Sequence, residues 1–326
     1  MRGRFRLARN VKLGDWQFFS LRLKDKEIYT KYVMKTQYNQ NLFSSNFDLL
    51  WSSSGPMYGN VLWRIVDGML VVFRLYQNRT LKIAFLPLGE GKIEHVTEVL
   101  YKCALFCHEW NGGDKSKSVV LGVNHSQLTC LNELNSFKQK FRCVQRMGVE
   151  RHLSVQKLLE LKGSEFEKVR YAINRFKRDY PNVRIRRGTI NDFASLVKLK
   201  QDWNQTLGKK YPKIRDDSRY RRILKYQKKL NHIVLVAELD GQIIGMYTGG
   251  ILPHGQAWAG LHKKREEFDG LSEYLYVEFA KEIHRINPSV ETINLGTDIG
   301  VGSGLRNFKN KFRPVLNEER YSLYLM

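Results

Sequence analysis

Two tight hairpin signals, far apart in the chain, constrain its fold more than any other feature. Asp67-Gly68 lies between the β-rich runs "LWRIV" and "MLVVFRL", and Asp240-Gly241 lies between "HIVLVAEL" and "QIIGMYTGGIL". An Asp-Gly pair favours a two-residue hairpin, because both residues tolerate the positive φ that such a turn requires. Each hairpin is followed by patterns for a strand, a helix, a strand and a helix. The sequence therefore predicts an internal duplication.

The second half gives the clearer order of elements. It reads as a strand ("VRIRR"), two helices ("NDFASLVKLKQDWNQTL" and "DDSRYRRILKYQKKL"), the hairpin, a third strand ("QAWAGLH"), a helix ("LSEYLYVEFAKEIHRI"), a strand ("ETINLG"), a short helix from about Leu305 and a closing strand ("RYSLYLM"). This is the order of the acyl-CoA N-acyltransferase (GNAT) fold. The predicted fold class is α+β, with two tandem GNAT-like units, each a mixed, mainly antiparallel sheet flanked by helices.

The predicted domain boundaries follow from these patterns. Residues 1–153 form the first GNAT-like unit, and residues 183–326 form the second, which is expected to carry the active site. A basic amphipathic helix within residues 154–182 joins them, with apolar residues at helical spacing on one face and lysines and arginines on the other.

Charge and cysteine content limit the kind of protein. Lysine and arginine number 55 against 32 aspartate and glutamate, which gives a net charge of +23 and favours a polyanionic partner, either nucleic acid or an anionic membrane surface. No run of about 18 uncharged apolar residues is present, so no membrane-spanning helix is expected. Cys103 and Cys107 continue an apolar helical stripe, which predicts buried reduced thiols and no metal site. We expect a cytoplasmic protein, in solution or peripheral to the membrane.

A glycine-rich stretch between the last predicted strand and the short helix is a candidate anion site. In "TDIGVGSGLRNFKNKF" (297–312), Gly300, Gly302 and Gly304 would let backbone N–H groups face an anion, and Arg306 and Lys309, three residues apart on the helix, would point one way. The anion would be a phosphate group of a nucleic acid or of a lipid headgroup. A tight turn without function is the alternative reading. The Walker phosphate-binding pattern is absent.

Longer strings resemble a known family. The chain is similar to the C-terminal domain of phosphatidylglycerol lysyltransferases and, more distantly, to the Fem peptidoglycan ligases. The resemblance covers nearly the whole chain and rests on "LPLGEG" (86–91), "LKGSEFEKVRYAINRFKRDYP" (161–181), "LDGQIIG" (239–245), "HKKREEFDG" (262–270) and, above all, "INLGTDIGVGSGLRNFKNKFRP" (293–314).

The resemblance implies an enzyme that transfers an amino acid from aminoacyl-tRNA to an amine or hydroxyl acceptor, with no cofactor required. The lysyltransferases carry this domain behind a many-helix membrane flippase that this sequence lacks, so phosphatidylglycerol is not carried over as the acceptor. Thr297 stands where acetyl-CoA-dependent relatives place Gln or Arg, which weakens the case for coenzyme A.

The same resemblance suggests site residues. Asp298 matches the family's aspartate that contacts the amino group of the transferred residue; a helix cap or an ion pair with Arg306 is the alternative. Lys263 matches a family lysine, although Lys264 and Arg265 beside it would also fit a solvated charge run. Arg170 and Asn174 match the family's Arg-x-x-x-Asn pattern on the joining helix, where a merely polar helix face would look the same.

Two further residues are candidates for catalysis. Asn294 would point into the active-site cleft if its strand parts from its neighbour, as acyltransferase strands do to admit the acyl donor; a buried, hydrogen-bonded asparagine is the alternative. His262 or His254 would act as the base, although neither lies in a recognisable His-and-carboxylate arrangement.

Three hypotheses for function remain. The first is an aminoacyltransferase that takes an amino acid from aminoacyl-tRNA and modifies a lipid or another acceptor. The second is a coenzyme-A-dependent N-acyltransferase of the same fold, for which acyl-CoA would be the cofactor. The third is a non-catalytic protein that binds RNA or anionic lipid through its basic surface.

Overall fold

The structure is a computed structural model and describes residues 9–38, 42–210, 216–297 and 302–326. It contains two compact units. The first unit consists of the chain up to Gly148 together with Glu318–Met326, and the second consists of Val149–Asn317.

The described part of the first half alternates short strands with helices. Its elements, in chain order, are β1 (Asn10–Leu13), β2 (Trp16–Ser20), α1 (Lys26–Lys35), α2 (Phe47–Ser53), β3 (Asn60–Val66), β4 (Met69–Leu75), β5 (Leu81–Ile83), α3 (Ile93–Trp110), β6 (Val119–Asn124), α4 (His125–Asn132) and α5 (Asn135–Lys140).

The described part of the second half repeats this alternation. Its elements are β7 (Phe141–Ser154), α6 (Val155–Glu160), α7 (Glu167–Asp179), β8 (Arg184–Arg187), α8 (Phe193–Gln205), α9 (Asp217–Leu230), β9 (Ile233–Leu239), β10 (Gln242–Ile251), β11 (Ala257–Lys264), α10 (Leu271–Ile286), β12 (Thr292–Asn294), α11 (Gly302–Asn310) and β13 (Leu316–Leu325).

The strands of the first unit run in the order β1-β2-β3-β4-β5-β6-β13, and those of the second unit run β8-β9-β10-β11-β12-β7. Neighbouring strands are antiparallel except for one parallel pair in each unit, β5 with β6 and β11 with β12. Both predicted hairpins are confirmed: Asp67 and Asp240 have φ values of 48° and 47°, and a positive-φ glycine follows each. The duplication predicted from the two Asp-Gly pairs is therefore present in the fold.

Helices cover both faces of the second sheet. On one face, α7 and α10 contribute to an extended apolar core that includes Phe176, Leu275 and Phe279. On the other face, α8 and α9 pack Leu199 and Tyr220 in a separate, smaller core. The ends of β11 and β12 lie between these two layers, and they position the candidate site.

The predicted domain boundaries need two corrections. Helix α7, predicted to join the units, buries Val169, Ile173 and Phe176 in the core of the second unit. The predicted closing strand of the second unit belongs to the first from Glu318 onwards, where Arg320 of β13 pairs with Asn124 of β6. Strand β7 takes its place in the second unit and pairs with β12. An alternating pattern identifies a strand but does not identify its partner.

Two further predictions concern burial and the membrane. Cys103 and Cys107 are buried on α3, as their place in the apolar stripe predicts. Among the described residues, no helix combines the length and the apolar character needed to cross a membrane.

Candidate active site in the second unit

Strands β11 and β12 separate at their carboxyl ends. They pair only at Ala257 with Ile293 and at Trp258 with Asn294, although β11 continues to Lys264 beside β10. Beyond Asn294 the chain stays with β7, since the N–H of Leu295 donates to the carbonyl oxygen of Arg151 at 2.8 Å. We call this opening, between β11 from Ala259 onwards and residues 295–297 after β12, the strand fork.

A bulge in β11 lies at the start of the fork. Tyr247 pairs with His262 and Gly249 pairs with Ala259, so two residues of β11 lie opposite Thr248 alone. The Thr248 hydroxyl accepts a hydrogen bond from the N–H of Leu261 at 3.1 Å and so satisfies a donor that the bulge displaces from the ladder. A side chain at position 249 would place Cβ 2.0 Å from the Trp258 carbonyl oxygen, so the close approach of the strands requires glycine there.

The direction of the β11 backbone groups follows from the bonds to β10. The N–H groups of Leu261 and Arg265 both point towards β10, onto Thr248 Oγ1 and the Ile244 carbonyl oxygen. Because successive residues of a strand point their N–H groups to opposite edges, the N–H groups of His262 and Lys264 point into the fork. The fork therefore presents backbone donors on the β11 side.

His262 lies at this edge, inside an aromatic cluster. Its ring lies edge-on to Tyr247 and Tyr276, with centroids 5.4 Å and 5.9 Å away. Its Nε2 is buried and has no hydrogen-bond partner among the described residues. Burial, together with the ammonium groups of Lys263 and Lys264, lowers the pKa of His262 to about 3. The imidazole is therefore neutral near pH 7 and is a weak proton acceptor, which argues against its predicted role as the base.

The low pKa of His262 gives a direct prediction. In the unfolded chain the pKa returns to about 6.5, so the folded state loses stability as the pH falls from about 6.5 towards 3, where His262 must take up a proton in a buried position. The side-chain NMR signals of His262 should remain those of a neutral ring at pH 5, and His262→Phe should reduce the loss of stability in acid. A titration midpoint near 6.5 in the folded protein would contradict this.

Lys263 belongs to a buried charged cluster and not to a solvated charge run. Its Nζ lies 3.1 Å from Asp216 Oδ2, and Nζ of Lys200 lies 2.8 Å from Asp216 Oδ1. All three residues are buried, with relative exposures of 3% to 4%. Both ammonium groups also lie over the ring of Trp203, at 4.0 Å and 4.4 Å from its centroid. We call these four residues the lysine–aspartate cluster.

The cluster carries more positive than negative charge. Two ammonium groups share one carboxylate, and Arg219 is close enough to affect the pKa values of Asp216 and Lys263. Burial lowers the pKa of Lys263 to about 8, against the opposing attraction of Asp216. Although burial raises the pKa of Asp216, Lys263 and Lys200 outweigh it and lower that pKa to about 2. At pH 7 the cluster therefore holds a net positive charge beside β11.

Asn294 ends β12 and is almost fully buried. Its Nδ2 donates to Glu150 Oε2 at 2.9 Å, and its Oδ1 accepts from the N–H of Gly296 at 2.7 Å. The contacts are those of the buried, hydrogen-bonded asparagine that the sequence left as an alternative. Glu150, on β7, is 1% exposed and was not among the residues predicted from the sequence. Only the pairing of β7 with β12 places it here, and nothing in its local sequence pattern identifies it.

The described part of the glycine-rich stretch differs from the loop that the sequence predicts. Asp298 and Gly300 lie outside the described residues. Gly302 and Gly304 belong to the first turn of α11 and not to a loop, because the helix begins at Gly302 and not near Leu305.

The expected shared direction of Arg306 and Lys309 is wrong. Arg306 is exposed, whereas Lys309 is 3% exposed. Its Nζ donates to the carbonyl oxygens of Leu295, Gly296 and Thr297 at 2.8 Å, 2.9 Å and 2.9 Å. Lys309 thus fixes the chain after β12 by donating to these three carbonyl oxygens.

This arrangement predicts unequal effects for the two residues. Lys309→Met should lower the free energy of unfolding by about 3 kcal/mol, since it removes hydrogen bonds from a charged donor to three carbonyl oxygens. Arg306→Met, on the same helix, should change it by less than about 1 kcal/mol because the side chain is exposed. Chemical denaturation of both variants measures the difference, and equal effects would contradict it.

The two predicted residues on α7 differ in their surroundings. Arg170 Nη1 donates to the carbonyl oxygens of Leu161 and Gly163, at 2.5 Å and 2.7 Å, and thereby holds the turn after α6. Asn174 is exposed. The structure thus places His262 and Lys263 on opposite faces of β11 and Asn294 on the other side of the fork, and it gives Arg170 a backbone-holding role.

The family-model comparison matches residues 58–324 to "Phosphatidylglycerol lysyltransferase, C-terminal". The chain belongs to this family. The match covers most of the chain and agrees with the resemblance found in the sequence. No curated protein sequence matches the chain.

Solved structures show the same fold over most of the chain. A conserved protein of unknown function from Bacteroides thetaiotaomicron superposes with a TM-score of 0.79 at 22% identity, covering 95% of this chain and 99% of the other. L-PGS from Bacillus licheniformis gives 0.60 at 14% identity, covering 92% and 91%. A tandem GNAT protein from the clavulanic acid biosynthesis pathway gives 0.50 at 9% identity, covering 94% and 98%. The predicted fold of two tandem GNAT-like units is confirmed, and family and fold together indicate a transferase of the acyltransferase type.

Proposed function

We propose that this lysyltransferase-family protein transfers an amino acid from aminoacyl-tRNA to a lipid or another amine or hydroxyl acceptor, and that the reaction takes place at the strand fork of the second unit. The observation that carries the proposal is the fork itself, where backbone donors of a bulged strand face an opening beside a buried, positively charged cluster. An activated ester needs orientation and stabilisation of its oxyanion more than it needs a cofactor. No metal or nucleotide is required by this proposal.

The equivalent place in the first unit, beside the parallel pair of β5 and β6, is filled by the unit's own chain. Strands β5 and β6 pair only at Ile83 with Val120. A Cβ at Gly122, further along β6, would lie 2.9 Å from Leu42 Cδ2 and 3.2 Å from Ser44 Oγ. Leu42 is 1% exposed at this position. Side chains therefore fill the space that an acyl donor would need, which supports placing the reaction in the second unit.

The proposed reaction uses the fork as follows. The ester carbonyl of the donor lies against β11, so that the N–H of His262 donates to its oxygen. The acceptor nitrogen or oxygen attacks the carbonyl carbon, and negative charge develops on the carbonyl oxygen. The C–O bond to the tRNA then breaks, and the terminal ribose oxygen takes up the proton that the attacking acceptor atom loses. Donors that are in place before the reaction stabilise that negative charge without reorganising.

Two side chains support this chemistry in different ways. The neutral imidazole of His262 gives or accepts a hydrogen bond without carrying charge, as its low pKa requires. The lysine–aspartate cluster adds a fixed positive charge on the α8 side of β11, which favours the anionic transition state. Asn294 and Glu150, hydrogen-bonded to each other across β12 and β7, hold the opposite side of the fork.

The test is a donor panel. Purified protein is mixed with tRNA preparations, each charged with one radiolabelled amino acid, and with phosphatidylglycerol vesicles or soluble amines as acceptors. Enzyme-dependent movement of label from one charged tRNA into lipid or amine supports the proposal and identifies the amino acid. Movement of an acyl group from acyl-CoA, with no transfer from any charged tRNA, would replace it with the coenzyme-A-dependent alternative. Binding of RNA or lipid without transfer from either donor would favour a non-catalytic protein.

A further inference from the structure

The outer face of α9 carries a row of positive side chains. Residues 218–230 read "SRYRRILKYQKKL" and contain no aspartate or glutamate. Within this stretch, the exposed lysines and arginines are Arg221, Lys225, Lys228 and Lys229. Side chains three, four or seven residues apart share one side of a helix. We call these four residues the α9 stripe.

The opposite face of α9 fixes the direction of the stripe. Its buried residues are Tyr220, Ile223, Leu224, Gln227 and Leu230, and most of them belong to the smaller core of the second unit. The helix has a kink at Tyr226, where φ is −113° and ψ is 16°. Exposed lysines lie on both sides of the kink, so the stripe continues past it. The apolar face of α9 is therefore committed to the core, and its cationic face is free to meet a partner.

The stripe also differs from the charged face of α10. There Lys281 pairs with Glu278 and Arg285 pairs with Glu282, both at 2.8 Å. Among the described residues, no carboxylate forms an ion pair with a member of the α9 stripe. Four positive charges without a carboxylate partner create a local positive potential, which favours an anionic partner.

The shape of the stripe indicates what kind of anion it meets. From Arg221 to Lys229 it runs about 12 Å along the outside of a helix, so it contacts a broad surface at several points. Neither aromatic residue of α9, a helix that the structure describes throughout, is exposed: Tyr220 is 0% exposed and Tyr226 is half-buried. The helix therefore offers no open ring on which an unpaired base could stack.

An exposed aliphatic side chain lies beside this helix. Ile190 is 55% exposed, and it belongs to the short turn Ile190–Asp192, which lies against α9. An isoleucine adds nothing to contact with a phosphate backbone, but it can enter the boundary between lipid headgroups and acyl chains. Basic side chains next to an apolar one are the combination by which peripheral proteins bind anionic bilayers. The two observations together favour a membrane surface over RNA.

We propose that the α9 stripe docks the protein on a bilayer that contains anionic phospholipids, with Ile190 entering the headgroup region. The stripe recognises the negative charge of the surface, and the isoleucine adds an apolar contact that salt does not screen. This inference goes beyond the proposed function, because docking requires neither a donor nor a transfer step.

The experiment measures sedimentation of the full chain with vesicles of phosphatidylcholine, with or without phosphatidylglycerol. The wild type should bind only the phosphatidylglycerol vesicles, and raised salt should weaken binding. The double variant Lys225→Gln/Lys228→Gln should bind about 25-fold more weakly, since each cation near an anionic bilayer contributes about fivefold. Ile190→Ser should weaken binding by about fivefold, whereas Ile190→Leu should retain it.

A second double variant separates the stripe from total charge. Lys281→Gln/Arg285→Gln removes two positive charges from exposed positions on α10 and should bind vesicles as the wild type does. All of these variants change exposed side chains, so chemical denaturation should show unfolding close to that of the wild type. Equal losses in the two double variants would show that binding follows net charge alone, and would overturn the inference.

The remaining outcomes separate this inference from the proposed function. If the wild type binds no vesicles at low salt, the inference is overturned, whatever the donor panel shows. It is also overturned if the α9 double variant loses binding to tRNA and keeps binding to vesicles, because the stripe then serves RNA. If vesicle binding depends on the stripe but no charged tRNA is a donor, the inference stands and the proposed function fails.

Discussion

Asp216→Asn is expected to destabilise the protein by about 3–5 kcal/mol at pH 7. The substitution removes the one carboxylate that both buried lysines share, so that Lys263 loses its carboxylate partner and Lys200 keeps only the exposed carboxylate of Asp217. Removing one partner of a buried ion pair typically costs this much. The loss should shrink as the pH rises, because Lys263, whose pKa burial lowers to about 8, can then give up its proton. Chemical denaturation at pH 7 and at a pH above 9 measures both effects.

Two variants test the cause of this loss. Asp217→Asn makes the same change at the next residue, whose side chain is 58% exposed and 3.7 Å from Lys200, and should cost less than about 1 kcal/mol. Adding Lys263→Met to Asp216→Asn should recover part of the stability, since it removes the buried charge that lost its carboxylate partner. A small cost for Asp216→Asn, equal to that of Asp217→Asn, would contradict the lysine–aspartate cluster as described.

The order of the strands and helices could be predicted from the sequence, because short sequence patterns determine it. The Asp-Gly turns and the period of apolar residues give strand, helix and hairpin positions directly, and the GNAT order follows from them. The sequence patterns could not predict that β7 completes the second unit and that β13 joins the first. β13 was predicted as a strand and assigned to the wrong unit, and β7 was not predicted, because only long-range pairing decides that β7 joins β12 and that β13 joins β6.

The site was only partly readable. Lys263 was named through a family resemblance, but its run of neighbouring charges favoured a solvated surface, and only the bulge and the packing of α8 against β11 show that it is buried. Lys200 and Asp216 come from other elements and have no local signal. Lys309 was assigned to an anion because helical spacing gives the separation of two side chains but not which one faces the core.

Lys263→Met is expected to lower kcat/KM for aminoacyl transfer by about 100-fold while leaving the free energy of unfolding at pH 7 unchanged or higher. Loss of one electrostatic group aimed at a transition state typically costs this much activity. The free energy of unfolding should not fall together with the activity. Burial lowers the pKa of Lys263 to about 8, so the charged form of this lysine is less stable in the folded protein than in the unfolded chain. Lys200 still pairs with Asp216 in this variant.

The pH profile decides whether the charge or the bulk of Lys263 matters. Transfer by the wild type should decline as the pH rises through about 8, where the ammonium loses its proton, and Lys263→Arg should weaken that decline because a guanidinium keeps its charge. Lys281→Met, which removes an exposed lysine on α10, is the matched control and should change neither activity nor stability. If Lys263→Met loses stability in proportion to activity and the profile of Lys263→Arg matches the wild type, Lys263 supports the fold and the positive charge beside β11 has no part in the reaction.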